Sequence, residues 1–394
     1  MIYLDNNATT RVDPEVVAAM LPYFVEHYGN ASSGHRLGAV AANALKTARQ
    51  AVRELLGAAS EDEIVFTSGA TESNHSAVHS ALEGKGGRDE LVISAVEHPS
   101  LLKTCKHLEE SRGVKVHFVP VDADGRLDLD AYTRALTPRT ALASVMWANN
   151  ETGALYDVPH LAALAHQAGA LFHTDAVQTA GRVTMDVKAT DVDLLSVSAH
   201  KLHGPKGVGA LYVRKGVRFR PTFRGGMQER GRRAGTENVP AIVGFGKAAE
   251  LARKKDDLRV QRLRDRLEQG ILERIPRCRV NGGRAQRLSN TSNISFERVD
   301  GDTLLALLDR AGVAVASGAA CASGLNEPSH VLRAMRVPPA FAIGAVRFSL
   351  SKDNCEEEID RVLEMLPPLI QSLRVPRSVG FTSEAASSYG SHPG

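Results

Sequence analysis

Between about residue 60 and residue 215, short apolar segments alternate with stretches of helical pattern, and this alternation constrains the fold most strongly. The apolar segments are rich in valine, leucine, isoleucine and phenylalanine, as buried strands are. Strands that alternate with helices build a mostly parallel sheet covered by helices, so the sequence predicts an α/β fold. The predicted strands are EIVFTS, ELVISAVEH, VKVHFVPV, TALASVMWANN, ALFHTDAV, DLLSVSAHK and GALYVRK.

The order of elements changes in the second half of the chain. One long, charged helix is predicted over residues 247–275, followed by strand NTSNISFE, helix GDTLLALLDRAG, strand AVRFSL and helix EEEIDRVLEMLPPLIQSLR. This order predicts a smaller α+β domain, and 394 residues exceed what one compact core holds. We therefore expect a large domain over 15–255, a small domain from 1–14 plus 256–375, and a disordered Ser/Gly-rich tail over 376–394.

Charge and cysteine content exclude several classes of protein. The formal net charge is only +3, which gives no electrostatic reason to expect a nucleic-acid or membrane partner. No window has the roughly 20 apolar residues that a membrane span needs, and no secretory signal is visible, so we expect a cytoplasmic protein. The cysteines, which are too scattered to predict a disulfide framework or a zinc ribbon, are Cys105, Cys278, Cys321 and Cys355.

The segment TSGATESN follows the first predicted strand and consists of small residues that open a helix. Free backbone N–H groups and the positive helix end at Ala70 and Thr71 make a seat for an anion, most simply a phosphate. An ordinary strand-to-helix turn explains this segment equally well. GPKGVG is not a Walker A sequence, and no GxGxxG is present, so the nucleotide motifs are absent.

Polar side chains follow four of the predicted strands at the points where the strands end. They are Glu97 and His98; Asn149, Asn150 and Glu151; Asp175 and Gln178; and Ser198, His200 and Lys201. In an open parallel sheet, ligands bind beyond the carboxyl ends of the strands. A lone polar residue at a strand end is usually a cap or a surface residue, but four such strand ends predict a binding site.

A phosphate seat, a buried carboxylate, a histidine and one lysine fit pyridoxal phosphate. The carboxylate would pair with the pyridine nitrogen, which makes the ring an electron sink. Lys201 stands at the tip of a buried strand, where partial desolvation favours the neutral amine that bonds to the cofactor. The alternative for Lys201 is an exposed loop lysine, which is what we expect for Lys206 inside the following turn.

Ten segments in order along the chain resemble the cysteine desulfurases of the class V aminotransferase group, most closely the nitrogen-fixation (NifS-like) type. The resemblance implies a fold-type I pyridoxal-phosphate homodimer that converts L-cysteine to L-alanine and leaves the sulfur as a persulfide on an enzyme cysteine. The segments are YLDNNATT, FTSGATES, VEHPS, WANNETG, HTDAVQ, SAHKLHGPKGVGALY, RGGMQERGRRAGTEN, SGAACASG, EPSHVLRAM and VRFSLS.

The resemblance also implies a role for each site residue, and no metal ligand is among them. Lys201 would hold the cofactor, Asp175 would contact the pyridine nitrogen and Gln178 the ring oxygen, and His98 would stack on the ring and move protons. Asn150 and Arg347 would hold the substrate carboxylate, for which the arginine fork is suited; a salt bridge between domains is the alternative for Arg347. The phosphate would be seated by Ala70, Thr71, Ser198, His200 and, from the partner subunit, Thr236.

Cys321 would be the nucleophile that receives the sulfur. Its surroundings, VASGAACASGLNEPSH, are small and glycine-containing, so the chain there can move between substrate and acceptor. The alternative is a buried structural cysteine, which is what we expect for the other three. The usual loop reads Ser-Ser-Gly-Ser-Ala-Cys, whereas Ala316 and Ala319 replace two serines here, which bears on the rate of sulfur attack.

Several related functions stay open on the sequence alone. A selenocysteine lyase, a class V aminotransferase or a non-catalytic module that binds an iron–sulfur scaffold would carry many of the same motifs. The sulfur acceptor implied by the resemblance is an iron–sulfur scaffold for nitrogenase, while a housekeeping scaffold and tRNA thiolation remain alternatives. A cluster of arginines favours the cofactor entrance or a subunit contact over nucleic acid, because no aromatics are interleaved; its members are Arg224, Arg230, Arg232 and Arg233.

Overall fold

The computed structural model describes residues 1–84, 86–253, 257–317 and 328–374. The chain forms short strands, the longest of six residues. In chain order they are β1 (Ile2–Tyr3), β2 (Ile64–Thr67), β3 (Glu90–Ser94), β4 (Lys115–Val119), β5 (Thr140–Ser144), β6 (Leu171–Asp175), β7 (Leu194–Ser198), β8 (Gly209–Val213), β9 (Cys278–Val280), β10 (Thr291–Phe296), β11 (Val313–Ala314), β12 (Ala316–Ser317) and β13 (Ala345–Ser349).

Helices begin where the sequence supplies caps. Asp13 accepts a hydrogen bond from the Glu15 N–H and Pro14 takes the first helical position of the first helix. The helices are α1 (Pro14–Met20), α2 (Pro22–Val25), α3 (Arg36–Leu56), α4 (Ala70–Gly84), α5 (Pro99–Arg112), α6 (Leu129–Ala135), α7 (Val158–Gln167), α8 (Val187–Thr190), α9 (Val239–Ala252), α10 (Asp257–Arg274), α11 (Gly301–Arg310), α12 (His330–Ala334), α13 (Pro339–Ala342) and α14 (Glu356–Arg374).

The seven predicted strands form one sheet in the order β2-β8-β7-β6-β5-β3-β4. Neighbouring strands are parallel, except that β8 runs antiparallel to β2 and β7. Both faces are covered, because Phe66 and Val92 pack into one apolar cluster while Val65 and Leu91 pack into another. Burial on both faces explains why these strands are continuously apolar rather than alternating. The α/β prediction is confirmed.

A smaller antiparallel sheet, β12-β13-β10-β9, forms from the C-terminal part of the chain. Its core includes residues of α10, α11 and α14, together with Ile2 and Leu4 from the N-terminus. This separate core supports the predicted division into 15–255 and 1–14 plus 256–375, which stays a prediction. The predicted tail over 376–394 lies outside the described residues. Within the described ranges, no helix is long and apolar enough to cross a membrane.

The prediction of a single helix over 247–275 is wrong. The structure instead has α9, which Asn238 caps at its start, and a separate α10. At Arg253 the backbone N–H bonds to the carbonyls of Glu250 and Leu251, so the α-helical i to i−4 pattern ends there. Charge periodicity did not reveal this end, because the surrounding sequence is rich in good helix formers.

Candidate active site

A cavity of about 730 Å³ opens beyond the carboxyl ends of the parallel strands. Ligands bind at this edge in open α/β sheets because the strand ends leave a crevice there. The four strand ends singled out in the sequence all contribute to it. The predicted site residues that line this cavity are Ala70, Thr71, His98, Asn150, Asp175, Gln178, Ser198, His200, Lys201 and Arg347.

Lys201 ends a single 3₁₀ turn, Ala199–Lys201, that follows β7 directly. Its Nζ donates to the backbone oxygens of Asn7 and Ala8, the latter at 2.8 Å. Burial, together with the positive charges of Arg347 and Arg182, lowers the pKa of Lys201 to about 7 against the opposing charges of Asp175 and Asp5. A large fraction of this amine is therefore neutral near pH 7, as a nucleophilic lysine requires.

Asp175 ends β6 and is only 7% exposed. Its Oδ1 accepts from the Val177 N–H at 3.0 Å, and its Oδ2 accepts from Asn74 Nδ2 at 2.8 Å. These two donors orient the carboxylate and leave lone pairs that face the cavity. The arrangement suits a carboxylate that receives one further N–H from a ligand.

The anion seat forms where α4 begins at Ala70. Gly69 has φ +152°, so a side chain would be strained there, and a Cβ at this position would lie 3.9 Å from the Ser198 hydroxyl. His200 Nδ1 is 3.1 Å from Thr9 Oγ1, and burial together with Lys201 lowers the pKa of His200 to about 4. Helix N–H groups, a hydroxyl and a neutral imidazole are donors that a phosphate accepts.

His98 precedes α5 and caps it, since its Nδ1 accepts from the Ser100 N–H at 3.1 Å. The ring also lines the cavity. Desolvation lowers the pKa of His98, the charge of Lys201 lowers it further, and Asp175 opposes both. The imidazole is therefore biased toward its neutral form, which can stack on a ring and exchange protons.

Arg347 lies on β13 and is 7% exposed. Its Nη2 contacts Asp5 Oδ1 at 2.6 Å, and its Nη1 donates to the backbone oxygen of Asn150 at 3.2 Å. Its buried Nε has no partner among the described residues. A guanidinium anchored in this way presents its charge to the cavity wall beside Asn150.

Gln178 reaches the site through its contacts with the N-terminal segment. Its Nε2 donates to the Asn7 backbone oxygen at 3.0 Å, and its Oε1 accepts from Arg182 Nη1 at 2.8 Å. Arg182 also donates to the backbone oxygen of Lys201 at 3.3 Å. These bonds hold the amide, the arginine and the lysine turn in one arrangement, with one N–H of Gln178 left for a ligand.

Two predicted site residues are not among those that line the cavity. Thr236 lies in a neighbouring cavity of about 200 Å³, which shares Ser68 and Gly207 with the first. Cys321 lies outside the described residues. The chain on either side of that gap meets the site, because Ala316 pairs with Arg347 between β12 and β13.

On the far side of the gap, Ser329 donates to Glu151 Oε2 at 2.5 Å and accepts from the Val331 N–H. Burial raises the pKa of Glu151 to about 7, against the lowering effects of Ser329 and the Arg347 charge. This carboxyl therefore ties the start of α12 to the turn that carries Asn150. Its titration near neutral pH follows from the cost of charging a buried group.

Sequence reasoning missed several residues that support the site. Asn7 and Ala8 bind Lys201, Asp5 pairs with Arg347, and Asn74 binds Asp175. Asn7, Ala8 and Asp5 belong to YLDNNATT, and Asn74 belongs to TSGATESN. The sequence analysis singled out these segments but did not predict which residues they contact. No local signal in the sequence connects residues that are this far apart in the chain.

The donor set of the cavity fits pyridoxal phosphate. A lysine with a lowered pKa, a buried carboxylate, an anion seat and a neutral imidazole lie around one space that is large enough for a small cofactor. Together with the parallel sheet, this defines an enzyme of the fold-type I class.

Comparison with known proteins agrees with that class. Residues 2–362 match the family Aminotransferase class-V. A cysteine desulfurase of Gluconacetobacter diazotrophicus is 59% identical over 376 residues, 95% of this chain and 94% of that protein. Cysteine desulfurase NifS of Azotobacter vinelandii is 53% identical over 376 residues, 95% and 93% of the two chains.

A solved structure described as a NifS-like protein superposes with a TM-score of 0.88 at 39% identity, covering 94% of this chain and 100% of that one. The chain therefore belongs to the class-V aminotransferase family and, within it, to the cysteine desulfurases. Enzymes of this family depend on pyridoxal phosphate. The family resemblance and enzyme class expected from the sequence are confirmed.

Proposed function

We propose that this chain binds pyridoxal phosphate at Lys201 and converts L-cysteine to L-alanine, with the sulfur passing to Cys321. The position of Lys201 carries the proposal, because a partly neutral amine lines one cavity together with Asp175 and Arg347. Ala70, Thr71, Ser198 and His200 would hold the phosphate, and Asp175 would contact the pyridine nitrogen. When bound, the cofactor supplies an electron sink for the carbanion formed at the substrate Cα.

The residues of the chain then have separate tasks. Arg347 and Asn150 hold the substrate carboxylate, for which the guanidinium charge is already at the wall of the cavity. The Lys201 amine, once free of its bond to the cofactor, takes the Cα proton. Asp175 keeps the pyridine nitrogen protonated, Gln178 contacts the ring oxygen, and His98 covers the ring and moves a proton.

The Cys321 thiolate would attack the substrate sulfur. The substrate C–S bond breaks and an S–S bond forms on Cys321, while the electron pair of the broken bond stays with the substrate carbon. A proton added at Cβ and the return of the Cα proton from Lys201 complete L-alanine, and His98 is the candidate for deprotonating the thiol beforehand. Among the described residues nearest to Cys321 in the chain, Ala316 pairs with Arg347 of the cavity wall and Ser329 bonds to Glu151, the neighbour of Asn150.

The assembly and the sulfur acceptor belong to the same proposal. The chain would act as a homodimer, with Thr236 of one subunit completing the phosphate site of the other. An iron–sulfur scaffold is the proposed acceptor, and nitrogenase maturation is the proposed pathway, in keeping with the NifS relative. A scaffold mixed with ferrous iron, a thiol reductant, L-cysteine and this protein should form a cluster, and the same mixture with Cys321→Ala should not.

Mass spectrometry after incubation with L-cysteine tests the central step. The peptide that contains Cys321 should gain the mass of one sulfur atom, and mild reduction should remove it. Protein without substrate is the control. Sulfur found on Cys355, or L-alanine formed without any labelled Cys321 peptide, would contradict the proposal.

A further inference from the structure

A continuous chain of hydrogen bonds joins Asp175 to His98 through two residues that have no role in the proposed chemistry. Asn74 Nδ2 donates to Asp175 Oδ2 at 2.8 Å and to Ser100 Oγ at 2.9 Å. Ser100 Oγ in turn lies 2.8 Å from His98 Nδ1. The chain crosses from α4 to the start of α5, so it connects two walls of the cavity.

The orientation of the Asn74 amide follows from its surroundings. The side chain is fully buried, and its two N–H groups match the two acceptors, Asp175 and Ser100. The opposite orientation would set the amide oxygen against a carboxylate oxygen, where neither group can donate. Asn74 Oδ1 has no partner among the described residues, so the two donor contacts decide the orientation.

The direction of the next bond is fixed by the first. Because Ser100 Oγ accepts from Asn74, its own hydrogen is free to donate to His98 Nδ1. The Ser100 backbone N–H donates to the same nitrogen at 3.1 Å. Nδ1 therefore acts as an acceptor, and the neutral imidazole carries its hydrogen on Nε2.

We propose that Asn74 and Ser100 are positioning residues, which hold His98 in its Nε2–H tautomer and align it with the carboxylate of Asp175. The tautomer follows from the hydrogen bonds themselves, whereas its role in catalysis rests on the proposed function. With Nδ1 occupied, the neutral ring presents Nε2–H as a hydrogen-bond donor to a ligand in the cavity, and it can accept a proton only at Nδ1, after the contacts with Ser100 give way. The charges that act on His98 from other elements, Asp175, Lys201 and the nearby His330, do not select between the two ring nitrogens.

Nitrogen NMR of the ligand-free protein labelled in its histidines tests the tautomer directly. The His98 signals, assigned by their loss in a His98→Gln variant, should show a pyridine-like Nδ1 and a pyrrole-like Nε2. In Asn74→Ala the Ser100 hydroxyl is free to accept, so the Nδ1 signal should move partway toward the pyrrole-like position, limited by the Ser100 backbone N–H that still donates to Nδ1. His98 should also protonate at a higher pH in this variant.

Matched variants keep the test falsifiable if Asn74→Ala folds poorly. Ser100→Ala should raise the pH at which His98 is half protonated, and Ser100→Thr should restore it. Thr104→Val is the control and should leave this pH unchanged, because Thr104 bonds to the Ser100 backbone carbonyl and not to its hydroxyl. A wild-type Nδ1–H tautomer would overturn the proposal. Unchanged His98 signals in both Asn74→Ala and Ser100→Ala would do the same.

Kinetics of the holoenzyme add a second readout. In Ser100→Ala we expect kcat to fall by about tenfold, the loss of one aligned hydrogen bond, while KM for L-cysteine changes by less than about twofold. If the loss of kcat/KM came from a rise in KM of about tenfold instead, the substrate site would be disturbed, and this result would contradict the positioning role. A wild-type enzyme without desulfurase activity would refute the proposed function, whereas the NMR result would still decide the tautomer.

Discussion

Arg347 on β13 and Asp5 in the N-terminal segment form an ion pair of 2.6 Å beside the cavity. The arginine side chain is 9% exposed and the aspartate side chain 22% exposed, so water screens this pair only in part. The guanidinium that we propose as the anchor of the substrate carboxylate is therefore already partly neutralised. Asp5 limits the strength of that anchor while it fixes the position of the arginine.

Replacing Asp5 by asparagine should strengthen substrate binding. Asn keeps an oxygen acceptor for Arg347 but removes the negative charge, so KM for L-cysteine should fall by about twofold to tenfold. Steady-state kinetics would measure this change. Asp360→Asn, which breaks an exposed pair with Arg266, is the matched control and should leave KM unchanged. A rise in KM for Asp5→Asn would mean that orientation outweighs charge.

The pH dependence of cofactor attachment should follow the lowered pKa of Lys201. Only the neutral amine reacts, so the rate at which ligand-free protein gains the visible absorbance of the cofactor should level off above about pH 7. An ordinary lysine would continue to gain reactivity toward its usual pKa of 10.5. After borohydride reduction and denaturation, the cofactor should remain attached to the Lys206→Ala variant. It should be lost from the Lys201→Ala variant. A rate that still climbs steeply at about pH 9 would contradict the lowered pKa.

Loss of the Cys321 thiol should separate sulfur transfer from cofactor binding. We expect Cys321→Ala to keep the absorbance of the bound cofactor and to lose sulfide release with L-cysteine by at least about a hundredfold. Cys355→Ala, at an exposed free cysteine, should keep full activity. Sulfide release and cofactor absorbance measured on the same samples would show the difference. Full activity of Cys321→Ala would exclude the proposed nucleophile.

Glu151 should make the protein less stable as the pH rises. Its pKa is about 7 in the folded protein and 4.5 in an unfolded chain, so the folded form binds an extra proton between these values. The stability contributed by this proton is complete below about pH 4.5 and is lost as the pH rises through about 7. Glu151→Gln keeps an acceptor for Ser329 and has no proton to lose.

Thermal unfolding between about pH 5 and about pH 8 would measure this effect. The Glu151→Gln variant should show a smaller fall in Tm over this range than the wild-type protein. Burial also raises the pKa of Glu97, but that residue is present in both proteins and cancels in the comparison. Equal pH slopes would show that Glu151 does not titrate in this range.

Much of the fold was predictable because its signals are local. The seven strands of the main sheet were predicted from apolar runs, since a strand buried on both faces needs an apolar side chain at nearly every position. The four polar strand ends were also predicted to meet, because parallel strands have their carboxyl ends at the same edge of a sheet. The break between α9 and α10 was missed, since backbone bonding at Arg253 leaves no clear mark on the sequence.

The amino-acid sequence alone determined the strand order in the chain, the lysine in the turn that follows β7 and the carboxylate at the end of β6, because these depend on neighbours within a few residues. Only the tertiary structure decided that Asn7 meets Lys201, that Asp5 pairs with Arg347 and that Asn74 links Asp175 to Ser100. These partners are separated by 26 to 342 residues. Such contacts form when the packed core fixes where each segment lies, and no local pattern encodes them.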